Sequence, residues 1–227
     1  MRFRAVLIDI DNTLFDFRES SYAALVEVFQ PYGIDFTREN FKRYEVYNDR
    51  LWQQFERGEI QQSEIYHERF RLYLNEIGLQ ADPTEINKAY VQGLAKGYHF
   101  MPHCRELLET LHGKYKVFAV TNGDAFAQES RIARSGMAHL FDGIFISEHI
   151  GAQKPECAFF DKVFAAIGEE YRNCSIIVGD SLSSDMQGGR NAGIPTCFYG
   201  KKEKADDRCD YVIDDLMQLP IILEENI

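Results

Sequence analysis

The chain has 227 residues, with 25 Lys plus Arg against 36 Asp plus Glu and a net charge of −11. That length carries one good core, or a core with a smaller inserted domain, and the acidic balance argues against a nucleic-acid polymer as partner, since counterion release needs clustered cations. Five cysteines, odd in number, widely spaced and without a CxxC pair, exclude a disulfide framework and a zinc knuckle and predict buried, reduced thiols in a cytoplasmic protein.

The first ten residues, MRFRAVLIDI, run into an acidic strand end with no extended apolar stretch or small-residue cleavage site. No run of eighteen apolar residues follows, so neither export nor a membrane span is expected. RAVLID (4–9) is the first predicted strand. Residues 16–98 then hold helical patterns and no strand. Tyr22, Leu25, Val28, Phe29 and Tyr32 recur at helical spacing up to Gly33; Thr37 caps a second helix carrying Phe41, Tyr44, Leu51, Trp52 and Phe55 and ending near Gly58. Ser63 is the predicted cap of a third, striped by Tyr66, Phe70, Tyr73, Leu74 and Ile77, and DPTE (82–85) opens a fourth with an Asp cap, a first-turn Pro and Glu85 at the capping-box position. These aromatic stripes are read as core, with Trp52, and Asn48 one turn before it, as the exception that could meet a ligand.

MPHCRELLETLHGKY brings the chain back through a helix to KVFAVTN (116–122), GIFIS (143–147), CSIIVGD (174–180), PTCFY (195–199) and DYVI (210–213). Strands that alternate with amphipathic helices and are apolar almost throughout predict a parallel sheet covered on both faces, joined by right-handed crossovers. The expected architecture is a Rossmann-like α/β core built from 1–15 and 99–227, with an all-helical subdomain inserted over 16–98. Lys201, Lys202 and Lys204 are answered by Glu203, Asp206 and Asp207 and read as a solvated loop. The six histidines show no metal-ligand spacing and are read as surface or loop residues.

In an open α/β sheet, ligands sit beyond the carboxyl ends of the strands. Asp9 and Asp11 end the first strand, Thr121 and Asn122 the second, and Asp180 the fourth; Lys154 follows the third in GAQKPE, and Asp185 stands in GDSLSSD. Clustered carboxylates raise one another's pKa unless a cation neutralises them. Mg²⁺ suits this set, because it takes oxygen ligands from one or two carboxylates plus a substrate phosphate. Lys154, Thr121 and backbone N–H groups suit the remaining phosphate oxygens. Side chains alternate along a strand, so the chain must turn immediately after Asp9 for both aspartates to reach one phosphate.

DIDNT, VTNG, KPE and GDSLSSD, in this order and at strand ends, resemble the four motifs of the haloacid dehalogenase superfamily, and the helical insert resembles its cap. The resemblance implies that Asp9 is the nucleophile that forms an aspartyl-phosphate and that Asp11 is the general acid and base. It implies phosphoryl binding by the Thr121 hydroxyl, the Asn122 backbone N–H and Lys154. It further implies Mg²⁺ on Asp9, Asp180 and the Asp11 backbone carbonyl, with Asp185 holding metal-bound waters. The carbon–halogen members lack an Asp at the position of Asp11, so phosphoryl transfer is expected rather than dehalogenation. Thr13, Phe15, Asp16 and Phe17 fall where the superfamily has its flexible turn and flap, which makes this segment a candidate hinge and a candidate pocket wall. As bare structural alternatives, Thr121 could cap a turn and Asp185 could answer a helix dipole.

The stretch YEVYNDRLWQQFERGEI, with VTNG and ISEHIGAQKPE, is similar to bacterial pyrimidine 5'-nucleotidases. That resemblance implies a Mg²⁺-dependent phosphomonoesterase acting on nucleoside 5'-monophosphates, with Phe15, Asn48 and Trp52 as candidate substrate-selecting residues. Phosphoglycolate or a sugar phosphate is the alternative substrate class, and a non-catalytic phospho-acceptor or ligand-binding module is a third reading. The sequence leaves self-association open.

Overall fold

The computed structural model describes residues 3–225. Along the chain the helices are α1 (Phe17–Phe29), α2 (Arg38–Glu56), α3 (Gln62–Ile77), α4 (Pro83–Leu94), α5 (Cys104–Leu111), α6 (Ala125–Ser135), α7 (Ser147–Ile150), α8 (Cys157–Ile167), α9 (Gln187–Ala192) and α10 (Leu219–Glu225). The strands are β1 (Ala5–Ile8), β2 (Lys116–Thr121), β3 (Gly143–Ile146), β4 (Ser175–Gly179), β5 (Thr196–Tyr199) and β6 (Tyr211–Ile213). They form one sheet in the order β3-β2-β1-β4-β5-β6, with every pairing parallel. This is the doubly wound α/β arrangement expected from the alternation of strands and helices.

The alternation of side chains along β1 explains why its sequence is apolar at every position. Val6 and Ile8 join Val117, Ala119, Ile176 and Val178 against the α5 residues Leu107, Leu108 and Leu111 and the α10 residues Leu219 and Leu223. Leu7 points the other way, with Val120 and Ile177, against Phe159, Phe160, Val163 and Phe164 of α8. A strand buried on both faces needs an apolar residue at each position.

The chain divides into two compact units: the described part of Met1–Phe17 with Tyr98–Ile227, which holds the sheet, and Arg18–Gly97, which is helical. Within the helical unit most of each aromatic stripe is core, but Tyr32 is exposed, because α1 ends at Phe29 and Tyr32 falls in the following turn that closes at Gly33. Tyr44, Phe55, Phe70, Tyr73 and Tyr90 are buried, and Phe29 stacks on Phe36 with ring centroids 5.1 Å apart. The Thr37 cap forms with a full capping box, and Asp82 caps α4 by accepting from Thr84 N at 2.9 Å.

Two further expectations change. Helix α3 begins before Ser63: Gln61 takes the cap position because Glu64 accepts from its backbone N–H at 2.8 Å, the reciprocal half of a capping box. All five cysteines are free as expected, but only Cys104 and Cys197 are buried; Cys157, at the first position of α8, is exposed, and Cys174 and Cys209 are half-buried. Among the described residues no helix is long and apolar enough to cross a membrane.

Candidate active site

The three central strands deliver the site. Ile8 of β1 stands opposite Ala119 of β2 and Val178 of β4, so Asp9, Thr121 and Asp180 emerge together at the carboxyl edge. There the strand order reverses, with β2 on one side of β1 and β4 on the other. Asp9 still belongs to the ladder through its N–H, which donates to Val178 O at 2.9 Å. The chain then leaves the strand at once. Leu14 and Phe15 both donate to Ile10 O, at 2.9 and 2.8 Å, and Asn12 donates to Phe15 O at 2.7 Å. Asn12 takes the left-handed conformation (φ 60°) that closes this turn, a region asparagine tolerates better than most residues.

Lys154 is the buried centre of the charge cluster. Its ammonium donates to Asp9 Oδ1 at 2.6 Å, to Asp185 Oδ1 at 2.7 Å and to Val120 O at 3.0 Å, which occupies all three of its donors. Asp185 lies in the turn Leu182–Met186, and its Oδ2 also accepts from Ser181 N at 3.1 Å. Gly179 makes that approach possible: a Cβ there would fall 2.1 Å from Asp185 Oδ2.

Asp11 is held by a different group of residues. Gln128 Nε2 donates to its Oδ2 at 2.6 Å and Arg131 Nη1 to its Oδ1 at 2.5 Å. Gln128 Nε2 lies also 2.9 Å from Thr121 Oγ1, which accepts from Gly123 N at 3.1 Å.

The electrostatics follow from burial. Loss of water pushes Asp9 up to about 7; Lys154 pulls it down, and Asp185 and Asp11 push it further up. Burial, then Asp9 and Asp185, hold Asp180 well above the usual carboxylate range. Burial alone would lower Lys154, but the Asp185 and Asp9 carboxylates overcome it and hold the ammonium above an ordinary lysine. Oxygens of Asp9, Asp180 and Asp185 lie within 4.8 Å of one another. Asp9, Asp11, Asp180 and Asp185 face two cations, Lys154 and Arg131. The formal excess is two negative charges, the charge of one divalent ion, and an all-oxygen donor set suits a hard cation such as Mg²⁺.

Asp9, Asp11, Thr121, Lys154, Asp180 and Asp185 thus meet at one edge of the sheet. Asn122 is there too, and its side chain is bonded to the Lys154 backbone, with Nδ2 donating to Lys154 O at 2.8 Å and Oδ1 accepting from Lys154 N at 3.0 Å. Phe15 is fully buried, packed on Phe100 with centroids 5.7 Å apart. In the helical unit Asn48 is buried beside Arg69 Nη1, at 3.4 Å, and Trp52 is half-buried with its ring edge-on to Phe55 at 5.6 Å. Gln128 and Arg131 are functional candidates that the sequence reading missed. The available signal was two long polar side chains, three residues apart, on the face of α6 that also carries Ala127 and Ile132 and is buried.

A sequence model described as haloacid dehalogenase-like hydrolase matches residues 6–199. The HAD-hydrolase YfnB of Bacillus subtilis is 34% identical over 203 residues, covering 89% of this chain and 86% of its own. Its crystal structure, described as bound to magnesium and revealing interdomain movement, matches with a TM-score of 0.92 at 32% identity, over 98% of this chain and 99% of that one. The pyrimidine 5'-nucleotidase YjjG of Escherichia coli is 33% identical over 87% of this chain and 86% of its own. The pyrimidine 5'-nucleotidase PynA of Streptococcus pneumoniae is 32% identical over 88% and 84%.

Proposed function

The chain belongs to the haloacid dehalogenase-like hydrolases and is a phosphatase of that family, and we propose that it hydrolyses nucleoside 5'-monophosphates, pyrimidine ones foremost, through an aspartyl-phosphate on Asp9. The observation that carries the reading is the cation-centred pair Asp9–Lys154 at the carboxyl edge of β1, with Asp11 turned into the same edge two residues later. The similarity to the two nucleotidases, which runs through both units, supports the substrate class.

In this reading an Asp9 oxygen attacks phosphorus while the ester P–O bond breaks, and the departing alkoxide takes its proton from Asp11. Asp11 then takes a proton from water, whose oxygen attacks the aspartyl-phosphate; the P–O bond to Asp9 breaks, and carboxylate and inorganic phosphate are restored. Lys154 neutralises charge on the nucleophile and the phosphoryl group, and the Thr121 hydroxyl and Asn122 N–H bind its oxygens. Asp9, Asp180 and the Asp11 carbonyl would hold Mg²⁺, with Asp185 on its waters; when bound, the ion supplies charge stabilisation for the transferring phosphoryl group. For substrate selection the candidates are Trp52 and Asn48 of the helical unit and Phe15 of the sheet unit, and of the three only Trp52 is partly exposed. Free cysteines fit a cytoplasmic setting.

A second substrate class has support from the glyceraldehyde 3-phosphate phosphatase of Pyrococcus furiosus, 28% identical over 98% of this chain. The deciding experiment measures phosphate release from UMP, dUMP, dTMP, glyceraldehyde 3-phosphate, phosphoglycolate and sugar phosphates, with Mg²⁺ and with EDTA. Metal-dependent preference for the pyrimidine nucleotides is expected. Preference for a triose or sugar phosphate would replace the substrate class, and no release from any of them would refute the enzymatic reading.

A further inference from the structure

We propose that Gln128 and Arg131 are positioning residues for Asp11, forming a two-pronged clamp on α6 that sets the direction in which the acid/base carboxylate presents its oxygens. The proposal rests on the reading of Asp11 as the group that moves the proton.

Asp11 stands in a turn and is partly open to solvent, its side chain 24% exposed. A carboxylate in that position has several rotamers of similar energy, and proton transfer demands that one oxygen be within hydrogen-bond reach of the leaving atom. The clamp removes the freedom. Gln128 holds one oxygen and Arg131 the other, at 2.6 and 2.5 Å, and both prongs come from successive turns of one helix, whose N-terminus is capped by Asp124 accepting from Ala127 N at 2.9 Å.

The prongs are themselves fixed. Arg131 is 1% exposed, bonds Gln128 Oε1 through Nη1 at 3.1 Å, and lies 5.2 Å from the Phe15 ring centroid and 5.8 Å from that of Phe17. Gln128 is equally buried, and Gly123 leaves the room it needs: a Cβ there would fall 2.3 Å from Nε2. Because the same Nε2 meets Thr121 Oγ1, Gln128 also fixes the spacing between Asp11 and the hydroxyl assigned to the phosphoryl oxygens. An ion pair adds little to stability, whether it is open to solvent or buried. Here the pair ends on a side chain that must act, and orientation is what it supplies.

The test uses the full chain with Mg²⁺, comparing p-nitrophenyl phosphate, whose leaving group departs without a proton, with phenyl phosphate and UMP, whose leaving groups need one. Gln128→Met, which keeps the volume, and Arg131→Lys, which keeps the charge, are both made; thermal melting selects the variants that fold. With phenyl phosphate and UMP, kcat should fall about 10- to 100-fold with KM little changed. With p-nitrophenyl phosphate the first turnover should keep its rate as a burst of nitrophenolate, followed by a slow steady state, because hydrolysis of the intermediate needs Asp11 as base. Equal slowing of the burst and of every steady state would mark a loosened site and overturn the clamp, as would unchanged kcat on all three esters. If the parent protein hydrolyses the aryl esters but not UMP, the nucleotide reading fails alone and the aryl pair still decides the clamp. If it hydrolyses none, the phosphatase reading fails and the clamp with it.

Discussion

Asn122 and Lys154 are joined twice, side chain to backbone: Nδ2 of Asn122 donates to Lys154 O at 2.8 Å, and Lys154 N donates to Asn122 Oδ1 at 3.0 Å. The amide thereby staples the loop that carries the central cation to the end of β2. It sets where the Lys154 stem begins, and hence whether the ammonium can span Asp9 and Asp185.

Asn122→Ala removes both bonds and leaves a backbone donor and acceptor to find other partners. At roughly 1 kcal/mol per bond the loss is about 2 kcal/mol, read as a lowered urea midpoint at unchanged m. A shifted Lys154 should also lower kcat at least about tenfold, since displacements near 1 Å cost up to about 100-fold. A variant that loses stability but keeps kcat would show that the staple is not what places Lys154.

Gly179→Ala tests the packing of Asp185. The new methyl would lie 2.1 Å from Oδ2 and 2.3 Å from Cγ, and the carboxylate has little room to yield because Lys154 and Ser181 hold its two oxygens. Overpacking of this kind costs about 1–3 kcal/mol. Displacement of Asp185 should also weaken the response to Mg²⁺, read as a smaller rise in melting temperature on adding the ion. An undiminished rise would place Asp185 outside the metal site.

The pH dependence of the metal-free protein follows from Asp9. Burial raises it from 3.8 to about 7, so between those values the folded state binds more protons than the unfolded chain. Stability is therefore fully present below about pH 3.8 as far as this group is concerned, and is lost as pH rises through 7. Asp180, shifted the same way, adds to the slope. A divalent cation takes over the role of the protons, so the rise in melting temperature on adding Mg²⁺ should be larger at pH 8 than at pH 5.5. Equal rises at both pH values would contradict the linkage.

The readable parts of the fold and site are those whose evidence is local. Each strand is a short apolar run, and Asp9, Thr121, Asn122 and Asp180 are the residues at which such runs stop; Lys154 and Asp185 stand in short loops just beyond. Gln128 and Arg131 escape this reading because they become significant only through Asp11, 117 and 120 residues away in sequence. Helical periodicity places them on the buried face of α6 without naming the partner that accounts for two polar groups there. Exposure of Cys157 was equally out of reach: residue type favours burial, and only the start of α8 puts it at the surface. The start of α3 lies before Ser63 although Ser63 is the better cap by type, because the bond from the Gln61 N–H to the Glu64 carboxylate decides it.

Asp9→Asn separates the two costs that this carboxylate carries. Without its nucleophile the protein should lose turnover by roughly 10³-fold or more. The same change removes a buried charge that desolvation disfavours above about pH 7, while Lys154 keeps Asp185 as a partner. The metal-free variant should therefore melt higher than the metal-free parent at pH 8 and gain less from Mg²⁺. At pH 5.5, where the parent Asp9 is largely protonated, the difference in melting temperature should shrink. Paired melting curves at the two pH values, with EDTA and with Mg²⁺, check all three expectations, and a variant less stable than the parent at pH 8 in EDTA would mean that the Asp9–Lys154 bond outweighs the burial of the charge.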